Sequence, residues 1–493
     1  LGTVLAVLFL TFLDTTIVSV TLGDLEVDLS AGVVPLQWVI NAYAVVFASF
    51  MLAGGSLADR LGRKWVMLAG LAVFCVGSVL AAVAGSIGLV IAGRAVMGLG
   101  AAASEPGTLS IIRQLFPDQA ARARALGAWS AVSGLALALG PVIGGLLVGA
   151  DGWRAVFWFN LAAGGLIALA VWAFVPDSRD PEPGRLDLTG FALGTSGLFG
   201  VIFAAISGEY QGFGTWWVVT LFVAGGLALL ALVRFERRTP TPMLDPRYLR
   251  TPIVRVALFA AFAVYLGVFA IFFLTALYLD VGLHYSGWRL AGMFAPMAAA
   301  IVAGGLVAGP WVGRVGSRAP MVTGCALAAA GMLLARYELG AELSFALLSL
   351  ALAAAGLGFG ITVVPMTSAV LTNIPARHSG VAASATNTAR QLGAVVGVTV
   401  LGALVNAKLT HTVDSYGPFQ LLGPGFRKSV LEILETGGHA GSFSLDDIPP
   451  VFVRSFLDGV RTGLVVATVL IALAGLIAAF VRDPRDKLAD PPA

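Results

Sequence analysis

The sequence predicts an all-α integral membrane protein that crosses the bilayer fourteen times. Three observations predict it. Of 493 residues, 58% are hydrophobic and only 12% charged, against roughly 25% charged in a soluble globular protein, and mean hydropathy is +0.91. The apolar residues gather into runs of about 20, the length a helix needs to cross a bilayer. Each run is apolar all round rather than alternating, which favours helices over a β-barrel. This composition excludes a soluble enzyme, a disordered scaffold and a secreted disulfide-rich module. Cys75 and Cys325 each sit in an apolar run, so no structural disulfide is expected.

In chain order the spans run over about 2–22, 38–58, 66–84, 87–112, 124–149, 153–175, 187–207, 216–235, 254–279, 289–312, 319–337, 344–371, 381–405 and 460–481. Because the chain begins at Leu1, already in apolar sequence, residues upstream are expected. Basic residues set the orientation. With the N-terminus in the cytoplasm, twenty Lys and Arg fall on inner loops and only Arg154, Arg289 and Arg336 on short outer ones. Both termini are then cytoplasmic, as an even number of spans requires. The net charge of +3 is dispersed over loops, so the basic pI does not indicate nucleic-acid binding. Segment 406–459 is too polar to span. Its Phe426 to Leu434 stretch has an amphipathic pattern that suits a short surface helix or hairpin.

An internal repeat divides the chain. Gly55-Ser-Leu-Ala-Asp-Arg-Leu-Gly-Arg-Lys64 and Gly309-Pro-Trp-Val-Gly-Arg-Val-Gly-Ser-Arg318 match at Gly55/Gly309, Arg60/Arg314, Gly62/Gly316 and Lys64/Arg318, an offset of 254 residues. Spans one and nine begin at the same offset. The reading is two six-helix halves, 1–175 and 253–481, with two inserted helices and their linkers in 176–252 and a cytoplasmic tail at 482–493. Parallel repeats of this kind are a transporter signature, with the substrate site near the midplane between the halves.

On these residues the chain resembles the major facilitator superfamily, in its branch of fourteen-helix drug:proton antiporters of the quaternary-ammonium and multidrug efflux type. Gly55–Lys64 is similar to the superfamily's loop between helices two and three. Leu13-Asp-Thr-Thr-Ile-Val-Ser-Val20 resembles the branch's first-helix motif, and Arg94-Ala-Val-Met-Gly-Leu-Gly100 the fourth-helix motif. Gly134 with Gly140-Pro-Val-Ile-Gly-Gly145 resembles the fifth-helix motif of antiporters. Asn387-Thr-Ala-Arg-Gln-Leu-Gly393 resembles a signature of helix thirteen. Glu105 departs from the pattern, standing where an apolar residue is expected before Pro106. The resemblance implies that Gly134, Gly140, Pro141, Gly144 and Gly145 form the sliding contact between halves. It also implies that the loop Gly55, Asp59, Arg60, Gly62 and Arg63 latches against span thirteen, with Asp59 at that helix's positive N-terminus. The second copy has Gly313 in place of Asp59, so the latch is asymmetric.

Four charges lie well inside spans: Asp14, Arg94, Glu105 and Arg390. Intramembrane charge is costly and therefore a functional hypothesis. No His lies among them, so a proton relay must use the carboxylates Asp14 and Glu105. At about 1.5 Å of rise per residue, Asp14 and Arg94 lie roughly 12 Å and 10 Å from the outer ends of their spans and are placed to pair. Asp14 reads either as a coupling site or as half of a static ion pair, and Arg94 as structural. Glu105, beside the kink-permitting Pro106, suits a proton or a cationic substrate but not both at once. Arg390 reads as a packing or gating contact. On span nine, Phe262, Tyr265, Phe269 and Phe272 share one helical face. That face suits flat lipophilic cations or ordinary packing.

The expected function is proton-coupled export of lipophilic, often cationic small molecules by a monomer in a bacterial cytoplasmic membrane. The proton gradient is the energy source and no cofactor or metal is expected. No Walker pattern is present. Alternatives are export of a lipid or endogenous amphiphile on the same scaffold, and a non-transporting receptor. Clustered His, Cys or paired carboxylates are missing from the spans, which argues against an enzyme.

Overall fold

A computed structural model describes residues 1–31, 33–177, 187–239, 248–279, 287–340, 344–375, 378–415 and 450–481. Among them, fourteen helices are long and apolar enough to cross a membrane. The first span is built from α1 (Gly2–Ile17), a 3-10 turn (Val18–Thr21) and α2 (Leu22–Leu29). The next five are α3 (Val33–Leu61), α4 (Arg63–Ala82), α5 (Ile87–Leu115), α6 (Gln119–Asp151) and α7 (Arg154–Phe174). Then come α8 (Leu188–Gln211) and α9 (Trp216–Glu236). The last six are α10 (Pro252–Leu277), α11 (Gly287–Val315), α12 (Arg318–Glu338), α13 (Phe345–Asn373), α14 (Ser379–Ser415) and α15 (Pro450–Phe480).

The repeat is physical. In the first half α4 and α3 pack on α5, α4 on α7, and α1 on α6; in the second α12 and α11 pack on α13, α12 on α15, and α10 on α14. Both loop copies turn on a glycine with positive φ, +104° at Gly62 and +77° at Gly316. Lys64 Nζ donates to the Trp172 carbonyl at 2.7 Å, near the end of α7. Its mate Arg318 donates to the Ala479 carbonyl, near the end of α15. The same offset places Gly70 on Gly324 and Gly77 on Gly331. Each of these glycines presses on the next helix of its own half: a Cβ would stand 2.6 Å from the Gly100 carbonyl oxygen at Gly70 and 2.9 Å from that of Gly358 at Gly324. Small residues are what let membrane helices approach this closely.

The two halves meet along two seams, α6 against α11 and α3 against α14. The inserted α8 packs on both α3 and α14, with α9 outside it. Glycines bring these two together, Gly225 facing Gly197 and Val201. The outer side of α9 exposes Trp216, Val219, Val223, Leu227 and Leu230, a lipid-facing surface.

Two boundaries differ from expectation. The first span runs on to Leu29, because a helix continues through Gly23–Asp28 although that stretch is too polar for the hydrocarbon. Segment 406–459, expected as a non-spanning outer segment beyond the ends of its neighbouring spans, is helical at both ends, since α14 reaches Ser415 and α15 starts at Pro450. Polar contacts join these extensions. Lys408 Nζ donates to Thr462 Oγ1 at 3.0 Å, and the Thr412 and Ser455 hydroxyls lie 2.6 Å apart. The Phe426–Leu434 stretch and the tail 482–493 lie outside the described residues.

A non-glycine residue at a left-handed turn costs about 1–3 kcal/mol. Gly62→Ala and Gly316→Ala are each expected to lower the melting temperature of the detergent-purified protein. Gly23→Ala, in α2 with open space around it, should not. Unchanged melting for both loop variants would contradict the shared turn.

Candidate functional site

The four buried charges form two separate clusters. Asp14, on α1, accepts from Arg94 Nη1 of α5 at 2.5 Å and from Asn160 Nδ2 of α7 at 2.7 Å. Arg94 also donates through Nε to the Val39 carbonyl at 2.9 Å and lies 4.5 Å from the Tyr43 ring centroid. Tyr43 donates in turn to the Thr11 carbonyl at 3.3 Å. Asp14, Arg94 and Asn160 are each 0% exposed. All these groups belong to the first half. The cluster ties α1, α3, α5 and α7 to one another within that half. Removing one partner of such a pair strands a buried charge.

Glu105 is arranged differently. It sits on α5, where Pro106 has no N–H to give and leaves the Ala102 carbonyl unpaired within the helix. Helix α3 closes over that oxygen at Gly54, where any side chain would collide with it. Thr108 and Ser110 return their hydroxyls to the Glu105 and Pro106 carbonyls at 2.7 and 3.2 Å. The Glu105 carboxylate reaches out of its own half and accepts through Oε2 from Asn387 Nδ2 of α14. Asn387 Oδ1 accepts from Arg390 Nη1 at 2.7 Å, and Arg390 Nη2 donates to Thr367 Oγ1 of α13. The guanidinium is held between two rings, 4.7 Å from the Trp129 centroid of α6 and 5.4 Å from that of Tyr265 of α10. Trp129 is fixed by its own bond to Thr108 Oγ1 at 3.1 Å. Glu105 and Arg390 are each 1% exposed. Arg390, read from sequence as a packing or gating contact, therefore belongs to the Glu105 relay.

At the loop end of the bundle, Asp59 spans the other seam. Its carboxylate accepts from the backbone N–H of Gly380 at 2.9 Å and of Val381 at 3.1 Å, the first turn of α14. It acts as that helix's N-cap, supplied by the opposite half. Arg63 braces it through Nε and Nη2 at 3.1 and 2.9 Å. Gly55 lies against Gly380 and Ser384. Arg113 donates to the Ile374 and Pro375 carbonyls at the end of α13, at 2.6 and 3.4 Å. Arg122 donates to Thr372 Oγ1 at 3.3 Å. Arg60 is half-buried beside this latch. The asymmetry with the second copy has a structural reason. Helix α6, the counterpart of α14, is capped by its own Asp118, which accepts from Ala121 N at 2.7 Å. Gly313 packs so closely on Ala120, 3.1 Å from a Cβ position to Cα, that it leaves little room for a carboxylate.

The sliding contact needs a correction. Gly134 does face the other half, at Ile301. Gly140 and Gly144 instead press on Thr16 and Ile17 of α1 within their own half, and Gly145 has open space around it. Pro141 lies within the same helix. The close approach between α6 and α11 is made lower down, by Gly127 and Ser130 against Gly305, and by Ala123 against Gly309. The aromatic face of α10 also divides. Tyr265 is buried and reaches Arg390, and Phe269 stacks on it at 6.5 Å. Phe262 is half-buried where α10 meets Gly393 of α14. Phe272 is 44% exposed and pairs with Phe294, away from the relay. Asn160, Thr367 and Trp129 were not anticipated. A lone Asn in an otherwise apolar span was the available signal for the first; the other two carry none.

Comparison with known proteins agrees with this architecture. The Major Facilitator Superfamily model matches residues 4–398. The multidrug resistance protein Stp of Mycobacterium tuberculosis is 29% identical over 489 residues, covering 97% of this chain and 90% of its own. The methylenomycin A resistance protein of Bacillus subtilis is 31% identical over 445 residues, covering 89% and 95%. Among solved structures, the human organic anion transporter MFSD10 superposes with a TM-score of 0.64 at 16% identity, covering 97% of each chain, a likeness of fold. Two repeated six-helix halves, a loop latch between them and a family match over most of the length lead to one conclusion: this chain belongs to the major facilitator superfamily of membrane transporters.

Proposed function

We propose that the protein exports lipophilic small molecules across a bacterial cytoplasmic membrane in exchange for protons, with Glu105 as the exchanging carboxylate. The observation that carries this reading is the hydrogen bond from Asn387 to Glu105. Of the two carboxylates deep in the bundle, Glu105 alone is held by a group of the opposite half, so rocking changes its surroundings while Asp14 keeps its own. Relatives named for multidrug and methylenomycin A resistance support export as the direction.

The excess of basic residues assigns the loop end of the bundle to the cytoplasm. With the Asp59 cap and the Arg113 and Arg122 bonds in place, that end is latched, and we take the state to be one closed to the cytoplasm. A proton arriving from outside neutralises Glu105. A neutral acid accepts a weaker hydrogen bond than a carboxylate, by about 1 kcal/mol. The seam loosens, the halves rock and the cytoplasmic end opens. There Glu105 gives up its proton and substrate takes its place. Because proton and substrate compete for one carboxylate, neither crosses without the other leaving.

In inside-out proteoliposomes with an imposed pH gradient, uptake of a fluorescent substrate should stop on adding an uncoupler and be indifferent to ATP. Glu105→Gln should reduce it to the level of empty vesicles. Uptake that survives the uncoupler, or survives in Glu105→Gln, would contradict the reading. Asp14→Asn is expected to act on stability instead, costing about 3 kcal/mol or more by stranding Arg94. Its melting temperature should fall, while the folded fraction still releases protons when substrate is added. Normal melting with lost proton release would return Asp14 to the coupling role.

A further inference from the structure

We propose that the Glu105–Arg390 relay selects substrates carrying both a hydrogen-bond donor and an acceptor, uncharged or zwitterionic overall, and disfavours permanent cations. The inference rests on the exchange reading above and names its substrate class.

A carboxylate alone would favour cations, but Glu105 is not alone. Arg390 is joined to it through a single amide, Asn387, and among the described residues no carboxylate lies within ion-pair distance of its guanidinium. Arg94, by contrast, has Asp14 in direct contact. Nor is Arg390 free to swing away. Both Nη atoms are committed to Asn387 and Thr367 of its own half, and Tyr265 of that half holds the plane even when Trp129, of the opposite half, moves away. The positive charge is thus a fixed part of the site. At an effective dielectric near 20, a second positive charge about 6 Å away is repelled strongly enough to weaken binding more than tenfold. A permanent cation attracted by Glu105 would meet that repulsion.

Two buried atoms of the relay have no partner: Glu105 Oε1, an acceptor, and Arg390 Nε, a donor. Buried polar groups normally find partners, and an unpaired one calls for an explanation, a water or a ligand group among them. When the halves part and Asn387 withdraws from Glu105, the carboxylate oxygens as acceptors and Arg390 Nε and Asn387 Nδ2 as donors are left for the incoming molecule. A ligand that donates to the carboxylate and accepts from the guanidinium satisfies both. A zwitterion does so with charges of the correct sign, whereas a quaternary cation satisfies neither hydrogen bond. Protonating Glu105 removes its charge and turns one oxygen into a donor, which weakens the hold on a donating, cationic group, so such a ligand is still displaced by a proton, as exchange requires.

The test compares two flat fluorescent probes, ethidium as a permanent cation and norfloxacin as a zwitterion, in inside-out proteoliposomes with a fixed pH gradient. The wild type is expected to move norfloxacin faster than ethidium. Arg390→Gln should shift the ratio about tenfold or more toward ethidium, while Arg390→Lys, which keeps the charge, should hold the preference against ethidium. Ethidium moved at least as fast as norfloxacin by the wild type would overturn the assignment without any variant. So would a ratio unchanged in a monodisperse Arg390→Gln protein. Absence of gradient-driven flux for both probes would strike the exchange reading itself, and this assignment with it.

Discussion

A single hydrogen bond, from Asn387 on α14 to Glu105 on α5, is the constraint on which the rest of the arrangement turns. Each half is internally complete. It repeats the other's helix pairings, closes its loop on a positive-φ glycine and caps the end of its last helix with a basic residue. What joins the halves is two seams lined by small residues, a borrowed helix cap, two arginine contacts at the loop end, Arg390 against Trp129, and this one carboxylate deep in the bundle. A charge in the bilayer interior persists only where its environment answers it. For Asp14 the answer comes from its own half. For Glu105 it comes from across the seam, and on the proposed exchange reading that difference makes one a clamp and the other a sensor of domain position.

The latch follows the same logic. Helix α6 begins with its own Asp118 as cap, so the capping of its first turn does not depend on the other half. The N–H groups of Gly380 and Val381 at the start of α14 depend on Asp59 of the first half. Opening that end leaves backbone donors uncapped, a cost of about 1 kcal/mol. This is of the same order as the weakening of the Glu105 bond on protonation. Two terms of similar size, one at the gate and one at the centre, are suited to a balance that a proton can tip.

Much of this was legible in the sequence. Fourteen spans, the repeat at Gly55 and Gly309, the depth match of Asp14 with Arg94, and Glu105 beside Pro106 all follow from hydropathy, spacing and the cost of buried charge. What was not legible depends on helix rotation. Gly134 and Gly140 lie on one helix and in one motif, yet one faces α11 and the other α1. Phe272 belongs to the same sequence face as Tyr265 but ends beside Phe294, exposed. Arg390 looked structural because sequence places it in span thirteen without saying that Asn387, three residues earlier, links it to a carboxylate of span four. The polar ends of α14 and α15 were read as loop because hydropathy reports the hydrocarbon thickness and not the length of a helix.

The central claim is that the charge on Glu105 sets the balance between the halves. Leu61 and Val315 are mates in the repeat, exposed at the loop end, one in each half. Spin labels at these two positions, in a protein with Cys75 and Cys325 replaced, measure the opening of that end by double electron–electron resonance. Lowering the pH should move the distance distribution toward longer separations, and Glu105→Gln should hold it there at every pH. A distribution that still follows pH in Glu105→Gln but ceases to do so in Asp14→Asn would contradict the account and move the sensor to the other acid.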